Sequence, residues 1–181
     1  VLILGFQYFS KFLDRIEKLL AMICAFLLSS SFLIILWQVI ARYVLKTGGP
    51  WMEEYARWAA IWMSFLGSAI AVRRSQHMQI DILQQYLKKW PTMLVCVTLL
   101  FHIVETVFFI VLIKLGIDYV ISTNGSFSTA LNLPKSCLYA SVPVGMVFMI
   151  LYTIEIMGKS ILIRNDTLAK KEKSEWREDA Q

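Results

Sequence analysis

An uncharged and strongly apolar run extends from Leu19 to Ala41. A helix needs about 20 consecutive apolar residues to cross the hydrocarbon core of a bilayer, so this run is long enough to be a membrane span. The composition agrees, because 57% of the 181 residues are hydrophobic and only 17% are charged, whereas soluble domains are about half apolar and a quarter charged. The sequence therefore predicts an integral membrane protein with no room for a large catalytic domain outside the membrane.

Three further apolar stretches follow, and together they predict an all-α membrane protein with four transmembrane helices. We place the later spans at about Trp51 to Val72, from near Pro91 to near Tyr119, and at about Ser136 to Ile156. Two amphipathic segments, residues 1–18 and 78–90, are expected to lie as helices in the membrane interface. Residues 1–163 then form a single four-span domain, and residues 164–181 form a flexible polar tail.

Basic residues are distributed unequally between the two sides of this topology. Only Lys46 and Lys135 fall in the loops on one side. Thirteen fall on the other side: Lys11, Arg15, Lys18, Arg73, Arg74, Lys88, Lys89, Lys159, Arg164, Lys170, Lys171, Lys173 and Arg177. Since segments rich in lysine and arginine stay in the cytoplasm, both termini are expected to be cytoplasmic. The net charge of +5 thus reflects topology, and we expect no nucleic-acid partner.

Charged and aromatic side chains are concentrated at the start of the second span. Trp51 is placed as an interfacial anchor, and Glu53, Glu54 and Arg57 lie within the first two helical turns. Spacings of four and three residues allow Arg57 to pair with either carboxylate, and Arg42 at the same depth is a second candidate partner. Because ionisable residues at membrane depth are usually functional, the cluster is interpreted as a contact to a partner subunit. The alternative is an interfacial group of charges that only ends the span.

The other polar and small residues of the spans favour structural roles. His102 and Glu105 are one turn apart in the third span, which favours an interhelical hydrogen bond over a proton relay. Gly67, Pro143 and Gly145 are interpreted as helix-packing positions. The three cysteines show no spacing typical of metal ligands. We therefore expect neither an enzyme nor a cofactor or metal bound by this chain.

Short segments between Arg42 and Gly145 form a series with a specific order and spacing. They are Arg42, the run Gly49-Pro50-Trp51-Met52-Glu53-Glu54-Tyr55, Phe65-Leu66-Gly67, Arg73, His77, Asp81, Ser128-Thr129-Ala130-Leu131, Leu133-Pro134, Tyr139 and Pro143-Val144-Gly145. This series, which covers most of the chain, resembles the small membrane subunit of tripartite ATP-independent periplasmic (TRAP) transporters.

The resemblance implies a function that depends on partners. In this family a soluble periplasmic binding protein captures an organic acid anion, such as sialic acid or a C4-dicarboxylate. A large membrane subunit then moves the anion with sodium by an elevator motion, and the small subunit braces the large one in the bacterial inner membrane. By the same resemblance, Glu53 and Glu54 make polar contacts near the outer surface, and His77 and Asp81 lie at the start of the second interfacial helix. Sodium coupling is then expected in the large subunit. A membrane scaffold or assembly protein without a transport role is the alternative.

Overall fold

The computed structural model describes the backbone of residues 2–87 and 91–158, and the side chains of residues 8–74, 93, 97 and 99–158. Within these ranges the chain is helical apart from its loops and one isolated bridge between Phe127 and Pro134. The helices are α1 (Leu2–Tyr43), α2 (Pro50–Leu87), α3 (Pro91–Ser122), the short α4 (Lys135–Tyr139) and, after Ala140, α5 (residues 141–158). The predicted tail at 164–181 lies outside the described residues.

Three helical stretches among the described residues are long and apolar enough to cross a membrane. They are Tyr8–Tyr43, Leu99–Ser122 and Lys135–Gly158, which correspond to the first, third and fourth predicted spans. The second predicted span, 51–72, is helical throughout but is not one of the three. Its apolar middle is interspersed with tryptophan, serine and glycine, and charged residues flank it at both ends. The all-α membrane architecture is confirmed, and the second span, 51–72, stays a prediction.

Helix α2 continues beyond the predicted end of the second span. We expected the second span to end at about Val72 and a separate helix to cover 78–90, but a single helix runs through to Leu87. No glycine or proline occurs between Ser68 and Leu87, so nothing in the sequence interrupts the helical hydrogen bonds. His77 and Asp81 lie in this part of α2, and their side chains are outside the described residues, as are residues 88–90.

Glycine and proline form the connection between α1 and α2. Lys46 adopts a left-handed conformation with φ of 52°, and Pro50 is the first residue of α2, where its missing N–H costs no helical hydrogen bond. Gly49 lies against the indole of Trp51, because a Cβ placed on this glycine would be 2.6 Å from the indole Cδ1. A larger residue would therefore displace Trp51.

The helices share an apolar core to which α1, α2, α3 and α5 contribute. Its buried members are Leu13, Leu20, Leu66, Ala69, Phe109, Met146, Met149 and Tyr152. Two glycines allow close helix contacts around it. A Cβ on Gly145 of α5 would be 2.8 Å from the Cβ of Phe65 in α2, and one on Gly116 of α3 would be 3.0 Å from the Cδ of Pro143. The packing of α5 against α2 thus depends on the absence of a side chain at Gly145.

The outward faces of α1 and α3 are apolar and exposed. Phe26 and Leu33 of α1 and Phe101 and Phe108 of α3 are each at least 58% exposed. Soluble monomers rarely display contiguous apolar surfaces of this kind. In a membrane chain such faces are covered by lipid or by another apolar protein surface.

Candidate functional site

Two interhelical polar clusters lie on α2, one near its beginning and one in its second half. They are centred on Glu54 and Arg73, which are 19 positions apart and therefore about 28 Å apart along the helix axis. Each cluster joins α2 to parts of the chain that are distant in sequence. Together they determine which surfaces of the chain remain available to a partner.

The cluster in the second half of α2 is called the Arg73 cluster. It consists of Ser10, Asp14 and Glu17 of α1, Arg73 and Arg74 of α2, and Glu155 of α5. The Arg73 guanidinium donates to both oxygens of Glu155, from Nε to Oε2 at 2.9 Å and from Nη2 to Oε1 at 3.0 Å. It also donates to Glu17 and to Asp14, each at 2.6 Å. Three helices are thus joined through one side chain.

Burial makes the Arg73 cluster energetically important. The Arg73 side chain is 8% exposed and that of Glu155 is 1% exposed. An arginine is always protonated in proteins, and a charge taken out of water is tolerated only when it is paired and hydrogen-bonded. The bidentate geometry is the strongest form of such pairing. The ring of Tyr152 adds to it, since the guanidinium carbon lies 5.3 Å from the ring centroid.

Neighbouring polar groups extend the Arg73 cluster toward the surface. The Ser10 hydroxyl donates to Glu155 Oε1 at 2.7 Å, and the exposed Arg74 donates from Nε to Glu17 Oε1 at 2.8 Å. The described members therefore carry two guanidinium groups and three carboxylates. This distribution holds the part of α1 from Ser10 to Glu17 against α2 and α5.

Sequence reasoning missed the Arg73 cluster. From the sequence we used Arg73 and Arg74 for the topology and assigned no partner on another helix to them or to Glu155. The available signal was an acidic residue, Glu155, inside an otherwise apolar span, because such a residue requires a partner. Asp14 and Glu17, three positions apart on one helical face, were the matching signal in α1.

The second cluster, the Glu54 contact, joins the first turns of α2 to the loop between α3 and α4. The Ser128 hydroxyl donates to Glu54 Oε1, and the backbone N–H groups of Ala130 and Leu131 donate to Oε2 at 2.9 and 3.0 Å. One carboxylate thus accepts from two backbone donors of the loop, and the Leu131 N–H also donates to Ser128 Oγ at 3.3 Å. Two sequence segments that carry the family resemblance, Glu53-Glu54 and Ser128 to Leu131, meet at this point.

The loop held by Glu54 is itself internally hydrogen-bonded. The Ser128 N–H donates to the Leu133 carbonyl at 2.9 Å, and the Lys135 N–H donates to the Ser126 carbonyl at 2.9 Å. Asn132 has a φ of 55°, a left-handed conformation that asparagine tolerates well. The loop is therefore a compact turn whose position relative to α2 is determined by Glu54.

The other residues of the predicted charge group lie apart from the Glu54 contact. Arg57 pairs with Glu53 at 3.2 Å, and both side chains are about two-thirds exposed, at 66% and 69%. The Arg42 side chain is exposed, and no hydrogen bond or ion pair joins it to another described side chain. Trp51 is 43% exposed beside Gly49. The two glutamates, adjacent in sequence, therefore serve different contacts.

The other residues predicted to pack or to pair lie on α2, α3 and α5. His102 Nδ1 and Glu105 Oε2 are 3.1 Å apart within α3. Gly145 is in close contact with α2, as described above, whereas a Cβ on Gly67 would meet no atom within 4 Å. Among the residues that the structure describes, no group of three or more histidine, cysteine, aspartate or glutamate side chains is arranged to hold a metal ion.

Comparison with known proteins agrees with this architecture. A family model for the DctQ component of tripartite ATP-independent periplasmic transporters matches residues 31–161. The chain is 28% identical over 146 residues to the sialic acid TRAP transporter small permease protein SiaQ of Vibrio cholerae, an alignment that covers 80% of this chain and 81% of that protein. It is also 31% identical over 68 residues to a protein of Haemophilus influenzae provisionally described as a TRAP transporter small permease protein, covering 38% and 42% of the two chains.

The match begins within α1 and extends past the last described residue of α5. It includes both interhelical clusters except for the residues that α1 contributes to the Arg73 cluster. It confirms the resemblance inferred from the sequence segments and the expectation that the chain is not an enzyme. The chain belongs to the DctQ component family of TRAP transporters and is a small membrane subunit of such a system.

Proposed function

We propose that this chain is the non-transporting scaffold subunit of a sodium-coupled TRAP transporter and braces a large elevator-type membrane subunit. The observation that carries the proposal is the Arg73 cluster, which joins α1, α2 and α5 through one buried guanidinium. A subunit against which another one moves has to keep its own helices in position. The Glu54 contact supports the same role at the other end of α2.

The separation of the two clusters supports a topology of four spans. Glu54 and Arg73 are about 28 Å apart along α2, close to the hydrocarbon thickness of about 30 Å. The segment between them packs against the other helices through Leu66 and Ala69. We take residues 51–72 as the second span, with α2 continuing beyond it to Leu87 as the same helix, and residues 1–18 as the interfacial start of α1. The excess of basic residues at the Arg73 end supports a cytoplasmic location for that end and for both termini.

Transport itself belongs to the large subunit in this proposal. Sites for sodium and an organic anion are typically built from discontinuous helices, whose free carbonyl and N–H groups bind the two ligands. Helices α1, α2 and α3 are uninterrupted over their described lengths. We therefore assign sodium coupling to the partner and no cofactor to this chain.

The transported solute is proposed to be an organic acid anion delivered by a periplasmic binding protein. The SiaQ relative is named for sialic acid and is aligned over most of its length, so sialic acid is the first substrate to test and C4-dicarboxylates are the second. The partners are then the binding protein, the large membrane subunit and the lipid of the bacterial inner membrane.

Reconstitution in proteoliposomes tests the proposal. With a sodium gradient, the binding protein and labelled sialic acid, this chain alone should give no uptake, the large subunit alone little, and the pair robust uptake. Saturable, sodium-driven uptake by this chain alone would overturn the assignment. Full uptake by the large subunit alone would instead favour a scaffold or assembly role without a part in transport.

Cysteine labelling tests the topology separately. In a variant with Cys24, Cys96 and Cys137 replaced by alanine, a single cysteine at Asn124 should react with a membrane-impermeant reagent in intact cells. A single cysteine at Lys170 should react only after the membrane is opened. The reverse pattern would show that the orientation is inverted.

A further inference from the structure

Three basic side chains form a stripe on the outward face of α1. Lys11, Arg15 and Lys18 are spaced by four and three residues and are all exposed. At about 100° of rotation per residue they fall within an arc of about 60°. The fully buried Leu13 and the nearly fully buried Leu20 lie on the opposite side of the helix. The stripe therefore faces directly away from the core.

The acidic residues of the same segment are engaged elsewhere. Asp14 and Glu17 accept hydrogen bonds from Arg73, and Glu17 also accepts one from Arg74. Among the described residues, no acidic side chain pairs with the three cations of the stripe. A segment that is nearly neutral in sequence thus presents three cations on its outer face, unpaired within the described part of the chain, while the half-exposed Asp14 beside them is paired with Arg73. This separation of charge is a consequence of the Arg73 cluster.

The same face becomes apolar in the following turns. Met22, Phe26 and Leu33 continue the stripe and are 62%, 69% and 62% exposed. The cationic part extends for about 10 Å along the axis and the apolar part for more than about 15 Å. A surface that changes from cationic to apolar over this distance is complementary to an anionic headgroup and its acyl chains.

We propose that this face binds an anionic phospholipid, with the phosphate between Lys11, Arg15 and Lys18 and an acyl chain along Met22 to Leu33. Charge complementarity selects the anionic class, because basic residues at a membrane surface each attract anionic lipid. The exposed apolar continuation indicates that the ligand is a lipid and not a soluble anion. The inference requires only that α1 crosses a bilayer, and it does not depend on the proposed transport role.

Fluorescence quenching by brominated lipids tests the site. The full chain, with Cys24, Cys96 and Cys137 replaced by alanine and Met22→Cys labelled with a small fluorophore, is reconstituted in phosphatidylcholine vesicles. Brominated phosphatidylglycerol should quench the probe at least about threefold more effectively than an equal fraction of brominated phosphatidylcholine. Equal quenching by the two lipids would overturn the proposal.

Matched variants establish that the cations cause the preference. Lys11→Gln, Arg15→Gln and Lys18→Gln together should abolish it, whereas Lys170→Gln, Lys171→Gln and Lys173→Gln remove the same charge and should leave it intact. Lys11→Arg with Lys18→Arg keeps the charge and should retain the preference, which guards against a folding defect in the glutamine variant. A preference that persists in the glutamine variant, or disappears when the large subunit is reconstituted with the chain, would refute the lipid site.

Discussion

Replacing Arg73 by glutamine should destabilise the protein far more than the same change at the adjacent Arg74. Arg73 is 8% exposed and donates four hydrogen bonds to three carboxylates, whereas Arg74 is 68% exposed and contacts Glu17. Removing one partner of a buried ion pair costs about 3 to 5 kcal/mol, and an exposed pair contributes about 0 to 1 kcal/mol. The two variants carry the same change in charge, so Arg74→Gln is a matched control.

The exposure of each carboxylate predicts an order among the partners. Glu155 is 1% exposed, Glu17 is 18% exposed and Asp14 is 55% exposed, so the loss should be largest for Glu155→Gln and smallest for Asp14→Asn. The measurement is the free energy of unfolding from a titration with sodium dodecyl sulfate in mixed micelles, followed by helix content. Arg73→Lys should lose part of the stability, because lysine keeps the charge without the fork of donors. If Arg73→Gln unfolds at the same detergent fraction as Arg74→Gln, the reasoning is refuted.

Two further predictions follow from the other contacts of α2. Gly145→Ala should lower the free energy of unfolding by about 1 to 3 kcal/mol in the same titration, because its Cβ would overlap α2. Gly67→Ala is the control and should be neutral or slightly stabilising. Equal changes in the two variants would contradict the close contact at Gly145. Glu54→Gln should speed amide hydrogen exchange in residues 128–131, since a neutral amide is a weaker acceptor than a carboxylate; Glu53→Gln is the control, and unchanged exchange in both would show that the carboxylate does not hold the loop.

Local features of the sequence predicted the helices well. A long uncharged run has few alternatives to a membrane helix, so Leu19 to Ala41 was sufficient to identify the first span. The spacing rule for helices also indicated the pairing of Glu53 with Arg57, which the structure contains at 3.2 Å. These features depend only on neighbours within one helix, and for that reason they are readable from the sequence.

Contacts between helices were not predictable in the same way. Arg73 and Arg74 are adjacent, but about 100° of rotation separates them, so one is buried among three carboxylates and the other is exposed. Glu53 and Glu54 differ for the same reason. The rotation and depth of a helix relative to its neighbours decide which of two adjacent residues is buried, and the sequence alone does not specify either quantity. The continuation of α2 to Leu87 was not predicted, because two adjacent arginines suggest the end of a membrane span. A helix continues past such a pair when no glycine or proline interrupts it.

Two contacts between α1 and α2 fix the number of residues that α1 can have between Glu17 and Ser30. The hydroxyls of Ser30 and Tyr55 are 2.8 Å apart, and Glu17 accepts from Arg73 at 2.6 Å. One residue inserted between Glu17 and Ser30 would rotate everything upstream by about 100°. Seven inserted residues would nearly restore the rotation but would shift the helix by about 10 Å, farther than a side chain can compensate. Insertions and deletions are therefore compatible with this fold in the connection at 44–49, and not within the part of α1 that the two contacts enclose.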